Sequence, residues 1–131
     1  MQPIRLLLVD DEEEFVKTLA ERIRMRGLDA HFAVDGKSAL AMIETETPHV
    51  MVLDLKMPGM DGKAVLRQVK ADHSEIQVLI LTGHGSEKEA EETLRMGAFD
   101  YLQKPVDIDT LIAHIRKAYR NWTEKDCQQG S

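Results

Sequence analysis

A chain of 131 residues with 43% hydrophobic and 31% charged side chains carries enough apolar surface for one buried core. Its net charge of −6, with acids and bases interspersed, excludes the basic stripe of a nucleic-acid surface and disfavours anionic membranes, and no apolar run approaches membrane-spanning length. A single cysteine, Cys127, excludes a disulfide framework or thiolate metal site, and Met1-Gln2-Pro3-Ile4-Arg5 lacks signal-peptide character, so a reducing cytoplasm is expected.

The first element is the apolar run Leu6-Leu7-Leu8-Val9, which shows no alternation and so suits a strand covered on both faces. Phe15, Leu19 and Ile23 fall four apart and predict a helix that stops at Gly27. Leu28, Ala30, Phe32 and Val34 alternate with Asp29, His31 and Ala33, the pattern of an edge strand. Leu40 and Ile43 mark a second helix, and Val50-Met51-Val52-Leu53 a second fully apolar strand. A third helix follows over Val65, Leu66 and Val69, with Asp61 placed to cap it. Val78-Leu79-Ile80-Leu81 is the next buried strand. Ser86 and Glu89 then form a capping box ahead of Ala90 and Leu94, and Gly97 closes that helix. Asp100-Tyr101-Leu102-Gln103 is short and half polar, a second edge strand. Leu111, Ile112, Ile115, Ala118, Tyr119 and Trp122 mark the last helix. The fold expected is α/β: a single (βα)5 doubly wound parallel sheet with helices on both faces. Residues 1–122 form the domain, and 123–131 a C-terminal tail or the start of a linker.

Ligands of an open α/β sheet bind beyond the carboxyl ends of its strands. The strand ends here carry Asp10 and Asp11, then Asp54, then Thr82 with Gly83-His84-Gly85, then Lys104 and Pro105. Three carboxylates brought together repel, so at neutral pH they hold a proton or bind a cation. One ammonium, Lys104, leaves the cluster net negative. An all-oxygen donor set favours a hard ion, and magnesium fits best, with manganese as a substitute. A carboxylate can also attack phosphorus to give an aspartyl phosphate. Lys104, Thr82 and a metal would then face the phosphoryl oxygens, with Asp54 as the acceptor. Taken alone, Asp10-Asp11 could equally cap a helix, Thr82 be a structural hydroxyl, and Tyr101 a half-buried edge aromatic.

Leu8-Val9-Asp10-Asp11, Leu53-Asp54-Leu55-Lys56-Met57-Pro58-Gly59-Met60-Asp61-Gly62, Leu81-Thr82-Gly83 and Tyr101-Leu102-Gln103-Lys104-Pro105 together resemble the receiver domains of two-component response regulators. The resemblance spans roughly residues 4 to 121 and implies a flavodoxin-like strand order 2-1-3-4-5. It further implies that Asp10, Asp11, Asp54 and the backbone carbonyl of Lys56 hold Mg2+. Asp54 would be phosphorylated, Thr82 and Tyr101 would form a coupled switch, and the Lys104–Pro105 bond would be cis. The implied function is a phosphorylation-dependent signalling switch, not a turnover enzyme, that catalyses only its own phosphoryl transfer and autodephosphorylation. Its partners would be a histidine kinase or phosphotransfer protein and an output domain or downstream protein, with a phosphorylation-dependent homodimer as its assembly. The output surface would be the fourth helix, fifth strand and fifth helix. The Thr82-Gly83-His84-Gly85 stretch resembles receivers attached to transcription activators of the nitrogen-regulator type.

Lys56 and His84 are candidates for tuning how fast water attacks the phosphoryl group, because both are expected to flank its line of approach. His31, His49, His73 and His114 lack ligand spacing and read as surface or boundary residues. Three alternative functions are considered. A small aspartyl-phosphate phosphatase would need a second acid beside the nucleophile, where Asp54-Leu55-Lys56 offers none. A nucleotide or flavin module would need a glycine-rich loop where Asp10-Asp11-Glu12-Glu13-Glu14 stands. A phosphorylation-independent receiver-like binding module would not need the complete acceptor set.

Overall fold

The computed structural model describes residues 3–57, 59, 61–83 and 85–130, the last six of them as backbone only. Five strands, β1 (Arg5–Val9), β2 (Asp29–Ala33), β3 (Val50–Leu53), β4 (Gln77–Thr82) and β5 (Asp100–Gln103), alternate with five helices. These are α1 (Glu13–Arg24), α2 (Gly36–Thr45), α3 (Gly62–Asp72), α4 (Glu87–Arg95) and α5 (Ile108–Gly130). All strand pairs are parallel, in the order β2-β1-β3-β4-β5. The two strands with the weakest apolar character are the edges, as the alternation of β2 and the short, half-polar run of β5 predict.

The uninterrupted apolar runs are explained by two cores. Leu6, Leu8, Val50, Val52, Leu79 and Leu81 point to α1 and α5, where Val16, Ala20, Ile23, Leu111 and Ile115 meet them. Leu7, Val9, Met51, Leu53, Val78 and Ile80 point the other way, to Ala39 and Ile43 of α2 and Val65, Leu66 and Val69 of α3. Successive side chains of a strand alternate faces, so a strand buried twice over must be apolar at every position. Each fully buried aliphatic side chain contributes about 1.5–3 kcal/mol.

Local signals set the helix ends. Asp61 accepts from the N–H groups of Lys63 and Ala64 at 2.6 and 3.2 Å, and Ser86 from Glu89 at 3.1 Å. Gly27 and Gly97 close α1 and α4 at φ +91° and +108°, a region that side chains with a Cβ rarely enter. The last helix does not stop at Trp122; it continues to Gly130.

Three expectations need correction. Phe15 shares the α1 periodicity but is 38% exposed, and Leu94 is 44% exposed. The buried position of α4 is Thr93, whose hydroxyl donates back to the carbonyls of Glu89 and Ala90. His49, expected at the surface or its boundary, is 4% exposed. Its ring lies 5.0 Å from Tyr119 and 4.4 Å from Trp122, and its Nδ1 accepts from the Arg5 N–H at 3.0 Å.

That acceptor role requires a neutral imidazole. Burial, and secondarily the charge of Arg5, depresses the His49 pKa below its ordinary value. The folded state therefore resists a proton that the unfolded state takes up near pH 6.5. Stability contributed by His49 above that pH should be lost as pH falls towards the lower folded value. Urea unfolding at pH 7.5 and 5.5 should give a smaller pH difference for His49→Gln than for the parent; equal differences would rule out this residue as the cause.

Candidate functional site

The sheet ladder runs one residue past β1, β3 and β5 and thereby lines up the site. The Asp10 N–H donates to the carbonyl of Ala33 at 3.1 Å, Asp54 to Val9 at 2.9 Å, and Lys104 to Thr82 at 2.9 Å. Asp10, Asp54, Thr82 and Lys104 are thus fixed by backbone bonds at one edge of the sheet. Asp10, Asp54 and Thr82 are 4%, 6% and 0% exposed.

Lys104 is the hub. Its ammonium stands 2.6 Å from Asp10 Oδ2, 3.5 Å from Glu12 Oε1 and 3.8 Å from Asp54 Oδ2. Burial alone would lower its pKa; the hydrogen bond to Asp10 and the charges of Asp10, Asp54 and Glu12 outweigh that and raise it. Its peptide bond to Pro105 is cis. At Asp54 burial prevails instead. Burial lifts its pKa above the usual carboxylate value and the Asp10 charge adds to the rise, against the Lys56 N–H, Lys104 and the Thr82 hydroxyl. The Lys56 N–H reaches Asp54 Oδ1 at 3.2 Å, while the Lys56 side chain is exposed.

Asp10, Asp11 and Asp54 each offer an oxygen within 4.8 Å of the others. Asp10 Oδ1 accepts from the Glu12 N–H at 2.9 Å, but the residue capping α1 is Glu12, and its side chain makes no cap. Helix capping therefore does not account for the Asp10-Asp11 pair. Three carboxylates with no nitrogen or sulfur donor among them fit a hard divalent cation, and Lys104 cannot neutralise all of them.

Tyr101 lies on β5, away from this cluster but beside the loop that follows Thr82. Its ring packs against Gly85 so closely that a Cβ there would overlap the hydroxyl. The hydroxyl donates to Glu89 Oε1 at 3.0 Å; burial and then the Glu89 carboxylate push its pKa up to about 12. Lys63 of α3 stands 4.0 Å from Glu89 and 3.1 Å from Glu92, so one network joins α3, α4 and β5. His84 lies outside the described residues, as do Pro58 and Met60 of the motif around Asp54.

Sequence reasoning missed Phe15, Glu12 and Glu89 as members of this neighbourhood, and the contact of Gly85 with Tyr101. The Lys104 ammonium lies 4.5 Å from the centroid of the Phe15 ring. For Phe15 the helical period misled. A helix start packed with Glu12, Glu13 and Glu14 is exposed, and that was the signal available for it.

Among the described residues no helix is long and apolar enough to cross a membrane. A family model of the response regulator receiver domain matches residues 6–116. The chain is 36% identical over 118 residues to the DNA-binding transcriptional regulator NtrC of Salmonella typhimurium, covering 90% of this chain and 25% of that protein. It is 36% identical over 124 residues to the response regulator MprA of Mycolicibacterium vanbaalenii, covering 95% and 54%. The chain thus spans a quarter to about half the length of these relatives. The Francisella response regulator 1452 receiver domain superimposes with a TM-score of 0.84 at 32% identity, covering 90% of this chain and 98% of that one.

Proposed function

The chain belongs to the response regulator receiver family, and from that premise we propose that it accepts a phosphoryl group on Asp54 from a histidine kinase or phosphotransfer protein and passes the signal to an output domain or downstream protein. One observation carries this reading: Lys104, Asp10 and Asp54 meet at the strand ends, with Asp11 beside them. An Asp54 oxygen attacks phosphorus; the O–P bond forms as the P–N bond to the donor imidazole breaks, and the electron pair leaves with that nitrogen. Lys104 and the Thr82 hydroxyl are placed to meet the phosphoryl oxygens in Asp54's company, which is the charge stabilisation such transfer requires. Asp10, Asp11, Asp54 and the Lys56 carbonyl would hold Mg2+, which when bound neutralises phosphoryl charge.

The test is intact mass after incubation with acetyl phosphate and magnesium. A single phosphoryl adduct is expected on the parent, none with EDTA, and none on Asp54→Asn. An adduct that survives the substitution would move the acceptor elsewhere. Turnover of acetyl phosphate without an accumulating adduct would favour the phosphatase reading.

The signal leaves, in this proposal, through α4, β5 and α5. The contact of Tyr101 with Gly85 and Glu89 supports it, since any displacement of Thr82 pulls on the loop that carries Gly85. A shift in population requires that the phosphoryl group bind one arrangement better. Backbone NMR shifts on phosphorylation should concentrate at residues 86–121; shifts confined to the neighbourhood of Asp54 would count against this route. The exposed Lys56 side chain, with His84, is assigned to the tuning of hydrolysis, and a phosphoryl lifetime unchanged in Lys56→Asn would remove it from that role. Residues 1–122 are taken as the receiver, and 123–131 as a C-terminal tail or the start of a linker.

A further inference from the structure

We propose that Phe15 is a positioning residue for Lys104: the face of its ring carries the ammonium at the mouth of the pocket and so raises the rate at which Asp54 is phosphorylated. The inference rests on the reading of Asp54 as phosphoacceptor.

Phe15 is the third residue of α1, on the stripe that continues through Leu19 to the fully buried Ile23. It nevertheless remains 38% exposed, and the Lys104 Nζ sits 4.5 Å from its ring centroid. That distance is inside the range of about 6 Å over which an aromatic face attracts a cation. Among the described residues, the ion-pair partners of the Lys104 ammonium are carboxylates: Asp10 at 2.6 Å, Glu12 at 3.5 Å and Asp54 at 3.8 Å. Each carboxylate that binds an ammonium N–H competes for it with an arriving phosphoryl oxygen. The shortest of these contacts draws the charge towards Asp10 rather than Asp54.

A ring attracts through its diffuse quadrupole and takes no N–H as a hydrogen-bond acceptor of comparable strength would. It can therefore restrain the lysine while leaving donors free for the phosphoryl group. The restraint matters because the lysine stem has four rotatable bonds and its freedom must otherwise be lost on reaching the transition state. Leucine at position 15 would preserve apolar contact and helix propensity but not the quadrupole.

The experiment is the labelling rate with acetyl phosphate and magnesium, in which an Asp54 oxygen displaces acetate from phosphorus. Phe15→Leu should label about 3- to 10-fold more slowly, and Phe15→Trp should restore the parental rate. Phenylalanines carrying one, two and three fluorines at position 15 should slow labelling stepwise, since fluorination weakens the ring face with little change of shape. In metal-free protein, the Lys104 side-chain proton resonances should show an upfield ring-current shift that Phe15→Leu abolishes. Parental rates in the leucine and fluorinated variants, or an unshifted Lys104, would overturn the proposal. A parent that takes no label at all overturns the acceptor reading instead, and the metal-free resonances still decide the contact.

Discussion

Gly62→Ala is expected to destabilise the protein by about 2–3 kcal/mol and to slow phosphorylation of Asp54 by about tenfold or more. A Cβ built at position 62 would stand 2.5 Å from the Asp54 carbonyl oxygen and 2.5 Å from the Leu55 Cα, with Leu55 Cδ2 at 3.1 Å. Two of these three atoms are backbone, so no rotamer change relieves the overlap. The chain cannot easily retreat either, because the Gly62 N–H donates to the Leu55 carbonyl at 3.1 Å and the Asp61 cap fixes the start of α3. What must yield is the Asp54-Leu55 backbone, and a displacement of about 1 Å at a reacting group can cost up to a hundredfold in rate. In thermal unfolding the loss should appear as a fall of roughly 6–12 °C. Gly83→Ala is the control for stability, since among the described residues its Cβ would meet the Lys104 Cδ at 3.9 Å, an ordinary contact. Equal melting temperatures for the two variants would show that the approach of α3 to Asp54 is not constraining.

Gly62 also illustrates what could be read beforehand and what could not. The strands, their parallel pairing and the convergence of Asp10, Asp54, Thr82 and Lys104 follow from patterns that span many residues. Apolar runs report burial on two faces, and a chemically distinctive residue then ends each run. The contacts that refine the site depend instead on single approaches between distant elements, which no local period records. Phe15 satisfies the α1 stripe yet lies on Lys104, because the first turn of α1 stands beside the pocket and sends its neighbour Val16, not Phe15, into the core. His49 is polar in sequence and buried in the fold because α5 brings Tyr119 and Trp122 across it. Glu89 reads as half of a capping box, whereas its carboxylate receives the Tyr101 hydroxyl from another strand. Gly85 reads as part of the loop after Thr82, and its lack of a Cβ makes room for the Tyr101 ring.

Lys104→Met should show how much of the pocket's stability rests on one charge. Asp10 and Asp54 are 4% and 6% exposed, and Lys104 is the cation the structure sets against them. Removing one partner of a buried pair costs about 3–5 kcal/mol; some exposure of the lysine argues for the lower end in metal-free protein. The loss should depend on pH, with a sign set by Asp54. Its pKa is raised in the folded state, so the stability it contributes is fully present below the unfolded value near 3.8 and is lost as pH rises through the folded one. Without Lys104 the folded value should rise further, and the deficit of the variant should grow between pH 5 and pH 7.5. Asp54→Asn removes the charge that Lys104 balances least closely. Alone it should stabilise metal-free protein by about 1 kcal/mol, and combined with Lys104→Met it should recover part of the lysine's loss. Urea unfolding of the four proteins at both pH values closes the cycle. A Lys104→Met deficit that is constant with pH and untouched by Asp54→Asn would mean that the lysine acts through packing of its stem rather than through its charge on Asp54.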